Sequence, residues 1–425
     1  MKDSGIEWIG EIPEGWEITR LKYLADFEPA CDTSYLTDES KITYTPMECV
    51  KNGGFDNRSA LYGNLSHTLT PFQNGDIAMA KVTPCFENGN IAIMDNLFSG
   101  FGLGSSELFI FRPKSISTRY LFYWLQNKAF VARACSTMTG TGGLKRISPS
   151  FIRNCPVHCP SMDEQTKISD YLDAKCSEID DLLTSVRSSI EEYKKLKQAV
   201  ITQAVTKGVR GEREMKDSGV EWIGEIPAEW SICPLKRLAA IQTGSTPSKT
   251  SSESFYSSIT GTPWIKPDNL GFSSSIETTA EFLTEEGCSV ARTFPSNTVY
   301  VGCIGSRIGN CGYSLIPCAC NQQINALIFN ARMYWKYGWY LTIFQEEQYM
   351  LLANGNVIQI INSTTQGNIS CIVPSISEQR EITAYLDAKC AEIDRLIAKK
   401  EQLAKELESY KKSLIYEVVT GKREV

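Results

Sequence analysis

The chain has 425 residues, of which 42% are hydrophobic and 22% charged, with a formal net charge of −6. This composition is typical of a globular protein, and no apolar run approaches the about 20 residues that span a bilayer. We therefore predict a soluble, cytoplasmic protein without a membrane segment. Taken alone, the acidic balance counts against nucleic-acid binding, because a basic domain is expected there.

Fifteen cysteines are scattered singly through the chain, and an odd count argues against a disulfide framework. The tightest groups are Cys155, His158 and Cys159, and Cys311, Cys318 and Cys320. Zinc sites need paired cysteine units with a second pair of ligands, which neither group offers. We predict buried, reduced thiols and no metal site.

The chain contains an internal repeat. Residues 1–18 recur at 215–232 with 14 of 18 positions identical, and residues 171–180 recur at 385–394 with one change. The offset that carries residue 1 to residue 215 also carries residue 171 to residue 385, and we call it the repeat offset. Between these echoes the two halves diverge almost completely. The sequence therefore predicts one shared frame that carries a different body in each half.

Each half opens with a tryptophan-rich segment punctuated by glycine and proline, at 8–16 and 222–230. Short β-like runs between turn signals follow, at 76–80, 91–94 and 108–111 in the first body and at 299–301 and 326–329 in the second. One helix is predicted inside each body, at 118–134 and about 331–352. Each body ends at a proline-marked segment, at 159–161 and 373–375.

A long helix is predicted behind each body. Ser161 with Glu164, and Ser375 with Glu378, show the capping-box pattern that satisfies backbone donors at a helix start. Apolar residues at steps of three and four then form a stripe of the coiled-coil kind. The stripe includes Ile168, Leu172, Ile179, Leu183, Ile190 and Leu196 in the first helix, and Ile382, Leu386, Ile393, Ile397, Leu407 and Tyr410 in the second.

Neither stripe is wide enough to be buried all round, so each helix needs a partner. Antiparallel pairing of the two helices is the simplest arrangement; two independent globules that each pack their own helix are the alternative. The first arrangement predicts an α+β fold in which two mixed α/β bodies are joined by an antiparallel coiled coil with pseudo-twofold symmetry. The predicted domains are 1–160 and 215–374 for the bodies, and 161–214 and 375–425 for the helices.

Catalytic motifs are scarce. Residues 99–104 resemble a glycine-rich cofactor loop, but a strand-like segment follows where a helix is required, so a turn is predicted. A phosphate-binding Gly-x4-Gly-Lys-Ser/Thr loop and the Asn/Asp-Pro-Pro-aromatic tetrapeptide of amino-methyltransferases are both missing from the sequence. The chain has only two histidines, His67 and His158, to act as a general base. We predict a protein that is not an enzyme by itself and holds no cofactor.

Four polar loops form the candidate functional surface. Asn, Gln and Arg side chains can pair with base edges in the major groove, and glycine-rich loops with Thr, Lys and Arg suit the approach of phosphates. The predicted DNA-binding residues are Lys81, Thr83, Glu87, Asn88, Asn90, Thr139, Thr141, Lys145 and Arg146 in the first half, and Ser306, Arg307, Asn310, Asn354, Asn356 and Gln359 in the second.

The repeated segments together are more specific than any one of them. The opening Gly-Ile/Val-Glu-Trp-Ile-Gly-Glu-Ile-Pro-x-x-Trp, the helix start Pro-x-x-x-Glu-Gln-x-x-Ile and the segment Tyr-Leu-Asp-x-Lys-x-x-Glu-Ile-Asp occur in both halves. They resemble the specificity subunit of type I restriction-modification systems over the whole chain, and residues 414–422 fit as well. The resemblance implies that the bodies are target recognition domains and the helices a spacer.

The resemblance also implies partners. Two methyltransferase (modification) subunits that use S-adenosylmethionine would bind this scaffold, and two restriction subunits that use ATP and Mg²⁺ can join them. The expected ligand is double-stranded DNA with an asymmetric, two-part target, and partner subunits would supply much of the charge that neutralises phosphates. The alternative is a two-headed coiled-coil adaptor that binds proteins, which explains the acidity but not the divergence of the bodies.

Overall fold

The computed structural model describes residues 1–66, 68–140, 143–247, 252–271, 275–355 and 358–425. The chain forms two compact units, Met1–Ser188 with Glu401–Val425, and Ser189–Lys400. Each unit contains one body and a part of both long helices. The predicted α+β class, with two mixed bodies and two long helices, is confirmed. The four predicted domain ranges remain a sequence-based prediction.

The first unit is built on two four-stranded sheets. One is antiparallel, in the order Ile91–Met94, Asp76–Ala80, Leu108–Pro113 and Ala25–Phe27. The other is mixed, in the order Arg58–Leu61, Lys41–Thr45, Phe101–Gly104 and Thr70–Gln73, with its two central strands parallel. Shorter pairs are Lys2–Asp3 with Glu11–Ile12, Val50–Lys51 with Gly54–Phe55, and Glu17–Arg20 with Pro156–Cys159. Asp76–Ala80 is buried along its whole length, which explains its nearly continuous apolar sequence.

The second unit repeats this design with different residues. Its antiparallel sheet has the order Ala239–Thr243, Ile324–Phe329, Thr298–Gly302 and Cys311–Ser314. Its mixed sheet has the order Tyr256–Ser257, Phe282–Leu283, Thr262–Ile265, Cys318–Cys320 and Thr293–Phe294. The shorter pairs are Met215–Asp217 with Glu225–Pro227, and Ser231–Pro234 with Ser370–Val373. The antiparallel sheets of the divergent bodies therefore share one strand order, whereas the mixed sheet of the second unit has a fifth strand, Tyr256–Ser257.

The single helix predicted in each body is wrong, because each is split in two. The segments are Thr118–Trp124 and Lys128–Ser136 in the first body, and Trp335–Phe344 and Glu346–Leu351 in the second. Asn127 caps the second helix of the first body, where its Oδ1 accepts from the Phe130 amide at 2.9 Å. Both helices of a pair face one core, so the apolar pattern runs through the break. The other short helices are Leu21–Leu24, Pro149–Asn154, Ser252–Phe255, Glu285–Val290 and Ser363–Gly367.

Two long helices, Met162–Lys207 and Ile376–Val419, supply a segment to each unit, and within each unit the segments pair antiparallel. In the first unit, Lys411 binds Asp180 at 2.7 Å and Arg187 binds Glu408 at 2.7 Å. In the second unit, the Lys197–Asp394 and Arg210–Glu381 ion pairs measure 2.7 and 2.8 Å. Lys411–Asp180 and Lys197–Asp394 are the same pair in the two repeats, because the repeat offset relates Asp180 to Asp394 and Lys197 to Lys411.

The two predicted capping boxes differ in outcome. Glu164 closes the box at the first helix, because its carboxylate accepts from the Ser161 amide at 3.0 Å and its own amide donates to the Ser161 hydroxyl at 3.3 Å. At the second helix the Glu378 amide donates to Ser375 at 3.3 Å, but its carboxylate is bound by Arg213 and Trp230. The Glu378 carboxylate therefore makes tertiary contacts and does not close the second capping box.

The helix stripe is buried at most of its predicted positions. Ile168, Leu172, Ile179, Leu183, Ile190, Ile382, Leu386 and Ile393 are buried, and Ile397 and Leu407 are half-buried. Leu196 and Tyr410 are wrong as stripe residues, since they are 48% and 49% exposed. The Lys197 side chain is 12% exposed beside Leu196, because its ammonium is bound to Asp394 and its methylenes cover the seam.

All fifteen cysteines are free thiols, ten of them buried. Burial raises the pKa of Cys155 to about 12 and of Cys303 to about 11, so neither is a reactive thiolate near neutral pH. Within the described ranges, no three His, Cys, Asp or Glu side chains are placed to hold a metal ion. No described helix is long and apolar enough to cross a membrane.

Candidate nucleic-acid interface

Two loops of the first body that the sequence singled out separately lie against each other. Residues 81–90 connect the strands Asp76–Ala80 and Ile91–Met94, and residues 139–146 lie between the helices Lys128–Ser136 and Pro149–Asn154. The Thr83 amide donates to the Lys145 carbonyl at 3.0 Å, and the Ile147 amide to the Lys81 carbonyl at 3.1 Å. We call residues 81–90, 139–140 and 143–146 the first loop pair.

The second body holds an equivalent arrangement. Residues 303–310 connect two strands of its antiparallel sheet, and residues 354–360 follow the helix Glu346–Leu351. The Gly305 amide donates to the Gln359 carbonyl at 2.9 Å, and the Ile361 amide to the Cys303 carbonyl at 3.0 Å. We call residues 303–310, 354–355 and 358–360 the second loop pair, and its two backbone bonds correspond one to one with those of the first.

The first loop pair displays some predicted side chains and uses others internally. Glu87, Asn88, Thr139 and Lys145 are exposed, and Lys81 and Asn90 are half-buried. Thr83 is only 8% exposed; its hydroxyl donates to the Gly143 carbonyl at 2.8 Å and accepts from the Lys145 amide at 2.9 Å. Thr83 therefore joins the loops and has no free donor for a base. Thr141 lies outside the described residues.

Arg146 is positioned by a carboxylate. Its Nε and Nη2 donate to the two Glu107 carboxylate oxygens at 2.9 and 2.6 Å, in the bidentate geometry that guanidinium prefers. This hydrogen bonding, with a smaller contribution from Lys81, lowers the pKa of Glu107. Arg146 remains 48% exposed, so the pair orients the guanidinium and leaves part of it open.

The second loop pair displays a different chemistry. Ser306, Arg307, Asn354 and Gln359 are exposed and Asn310 is half-buried, while Asn356 lies outside the described residues. Arg307 is 3.6 Å from Asp268, a loose ion pair. Ile358 and Ile360 are 57% and 45% exposed, where the first loop pair carries Leu144 and Arg146. The sequence does not single out these isoleucines, because the chemistry of base edges points to polar side chains.

Each body is fastened to the long helices by buried tyrosines. The Tyr120 hydroxyl lies 3.2 Å from the carbonyls of His158 and Val419, and the Tyr337 hydroxyl lies 3.4 Å from those of Ile372 and Val205. The repeat offset relates His158 to Ile372 and Val205 to Val419, so the carbonyls occupy equivalent positions. In each unit, one tyrosine hydroxyl of the body therefore contacts both the strand that precedes one long helix and the end of the other long helix.

A second contact joins the first helix of each body to an aspartate of a long helix, and the two aspartates occupy equivalent positions of the repeat. Tyr123 donates to Asp173 at 2.7 Å, and Tyr340 to Asp387 at 2.9 Å. Burial and this hydrogen bond raise the pKa of both tyrosines, so each stays a donor at physiological pH. These contacts hold the first helix of each pair, Thr118–Trp124 or Trp335–Phe344, and the second helix of the pair leads into the second loop.

The comparisons with known proteins agree with this architecture. The sequence matches the type I restriction modification DNA specificity domain twice, at residues 13–192 and 227–408. The chain belongs to that family. The two matches of the specificity family follow the internal repeat and include both loop pairs.

Individual relatives carry the same family name. The type I restriction enzyme EcoAI specificity subunit of Escherichia coli is 34% identical over 196 residues, which make up 45% of this chain and 33% of that protein. The MjaVIII specificity subunit of Methanocaldococcus jannaschii is 25% identical over 97% of this chain and 93% of its own length. The match thus spans only about a third of the Escherichia coli specificity subunit.

A solved structure shares the fold. A chain from a study of complex assembly and conformational transition of the type I R-M system superimposes with a TM-score of 0.75. The match covers 97% of this chain and all of that chain, at 15% sequence identity. At this identity the likeness establishes the fold of the specificity family and leaves the side chains of the loops to be interpreted from this chain itself.

Proposed function

We propose that the chain is the DNA-recognition subunit of a type I restriction-modification complex, in which each loop pair recognises one half of an asymmetric target. The observation that carries this proposal is the pairing of loops on equivalent backbone bonds with different exposed side chains, Glu87, Lys145 and Arg146 in the first unit and Arg307, Ile358 and Ile360 in the second. One backbone frame that displays two sets of side chains fits two unlike half-sites. Asn, Arg and Gln side chains supply the donors and acceptors that base edges require.

The chain performs no chemistry in this proposal. Burial raises the pKa of the Cys155 and Cys303 thiols, and the described histidine, His158, is buried, so the described residues offer no nucleophile paired with a general base. S-adenosylmethionine, ATP and Mg²⁺ would be bound by partners: two methyltransferase subunits and, in a restricting complex, two translocating nuclease subunits. The repeat of the frame supports two copies of one partner. The complex would act on DNA in the cytoplasm.

The test is methylome sequencing of a methylation-free host that expresses the chain with its methyltransferase partner. The expected result is one bipartite motif that disappears when the chain is omitted. Asn88→Ala with Asn90→Ala should relax or change one half of the motif, because only the first loop pair is altered. Asn310→Ala with Asn354→Ala should affect the other half.

Two outcomes contradict the proposal. A motif that persists when the chain is omitted would show that the partner selects the target. Loss of both halves with either pair of substitutions, in a complex that still assembles, would show that the loop pairs do not recognise separate half-sites. Co-purification of the partner with each variant supplies the control for assembly.

A further inference from the structure

A row of cations extends from the first loop pair across the first unit. Lys81 lies 5.5 Å from the ring centre of Phe109, which packs on Phe27 with ring centres 5.0 Å apart. The guanidinium of Arg153 lies 4.9 Å from the Phe27 ring. The two aromatic rings therefore form a continuous floor between a loop cation and a cation of the helix Pro149–Asn154.

The row continues beyond Arg153. Arg20 reaches Asn154, the last residue of the same helix, at 3.5 Å. Lys22 follows on the helix Leu21–Leu24, whose first amide donates to the Cys155 carbonyl at 2.9 Å, and its ammonium lies over the exposed Tyr23 ring. With Lys145 in the loop pair, the cationic row comprises Arg20, Lys22, Lys81, Lys145 and Arg153.

The cations of the row form no ion pair within the described parts of the protein. Among the described residues, none of the five cations has a carboxylate within 4.0 Å, and four of the five are exposed. Of the described carboxylates of this unit, Glu107 is bound by Arg146 and Asp26 by Lys114, whereas Glu28 and Glu87 have no described cation within 4.0 Å. The first unit of this acidic chain therefore displays five cations without an ion-pair partner, and aromatic rings lie beneath Lys22, Lys81 and Arg153.

The second unit does not repeat this row at the equivalent positions. The repeat offset places Pro234 and Gly367 where the first unit has Arg20 and Arg153, and only Lys22 has a basic counterpart, Lys236. Lys236 is bound to Asn368 at 2.8 Å. In the second loop pair, Cys303 and Gln359 make the backbone bonds that Lys81 and Lys145 make in the first.

We propose that the cationic row binds the phosphate backbone of DNA next to the first half-site. This inference rests on the proposed function and adds an asymmetry to it, because the equivalent positions of the second unit do not form such a row. Exposed Arg and Lys side chains without internal partners are the groups that fix a protein's register on a duplex without carrying sequence information.

The test measures the salt dependence of DNA binding by the complex with its methyltransferase partner. Arg20→Gln, Lys22→Gln and Arg153→Gln together remove three cations that lie outside the loops. Each lost phosphate contact lowers the slope of log K against log salt by about 0.9, so the triple variant should lose about 2.7. Binding to target and to unrelated duplex should weaken by the same factor.

The matched control is Arg395→Gln, Lys399→Gln and Lys405→Gln, which removes three exposed cations of the second long helix. Its slope should equal that of the unchanged complex. An unaltered slope in the row variant overturns the inference, and so does an unaltered slope with reduced capture of the methyltransferase subunit, which would assign the row to a protein partner. Failure of the unchanged complex to prefer its target would instead defeat the proposed function.

Discussion

His158 makes the first unit sensitive to acid, and its repeat position makes the effect testable. The side chain is 1% exposed in the strand Pro156–Cys159, and its Nδ1 accepts from the Trp124 indole at 3.1 Å. Its Nε2 has no partner among the described residues. The equivalent residue of the second unit, at the repeat offset, is Ile372, so His158→Ile installs a side chain that the frame already accepts.

The magnitude follows from the pKa of His158. Burial, with a smaller contribution from the positive charge of Lys422, lowers this pKa from 6.5 to about 4. The unfolded chain therefore binds a proton that the folded chain rejects, and stability is lost as the pH falls below about 6.5. The loss is about 2 kcal/mol at pH 5 and approaches about 3.4 kcal/mol below pH 4, since each pH unit between the folded and unfolded pKa values is worth about 1.36 kcal/mol.

Urea unfolding of the unchanged chain and of His158→Ile, followed by tryptophan fluorescence from pH 8 to pH 4.5, measures this loss. The free energy of unfolding of the variant should gain about 2 kcal/mol relative to the unchanged chain between pH 8 and pH 5. At pH 8 the difference should be small, because removal of an unpartnered Nε2 is offset by loss of the acceptor for Trp124. Parallel pH profiles for the two proteins would refute the reasoning.

Two residues of the first unit, Asp76 and Thr83, provide further tests, each with a control variant. Asp76 is 1% exposed and forms a bidentate pair with Arg112 at 2.7 and 2.8 Å. Asp76→Asn should therefore lower the free energy of unfolding in urea by about 3–5 kcal/mol. The control Asp26→Asn, at an exposed ion pair, should lower it by less than about 1 kcal/mol. Thr83→Val removes the hydroxyl that joins the first loop pair and should weaken binding to the target without altering binding to unrelated DNA. Thr83→Ser, which keeps the hydroxyl, should restore target binding, and equal affinities for Val and Ser variants would contradict the role assigned to this residue.

Much of the architecture could be predicted because it depends on local patterns. The repeat, the long helices and the strands at 76–80 and 91–94 follow from periodicity and turn residues, and the structure contains them all. The break at Asn127 was missed because both short helices face one core and keep the apolar pattern continuous. The exposure of Leu196 does not follow from the spacing of apolar residues, because it depends on Lys197, which binds Asp394 and covers the contact between the two long helices.

The candidate site divides in the same way. Sequence composition was enough to select all four loops, since glycine, threonine and asparagine clusters mark exposed turns. Their pairing was not predictable, because it depends on backbone bonds between residues such as Thr83 and Lys145 that lie far apart in the chain. Thr83 and Arg146 look equally available in the sequence, yet one joins the loops and the other is oriented by Glu107.

The sequence by itself determined the shared frame, since residues 1–18 and 171–180 recur at one offset and specify the same strands and helix in each half. Only the tertiary structure decided which side chains of the divergent bodies are displayed. Burial and partner geometry depend on residues brought together from distant segments, as the successive contacts of Lys81 with Phe109, Phe109 with Phe27, and Phe27 with Arg153 demonstrate. Local patterning builds the frame, and long-range packing selects the surface that the frame presents.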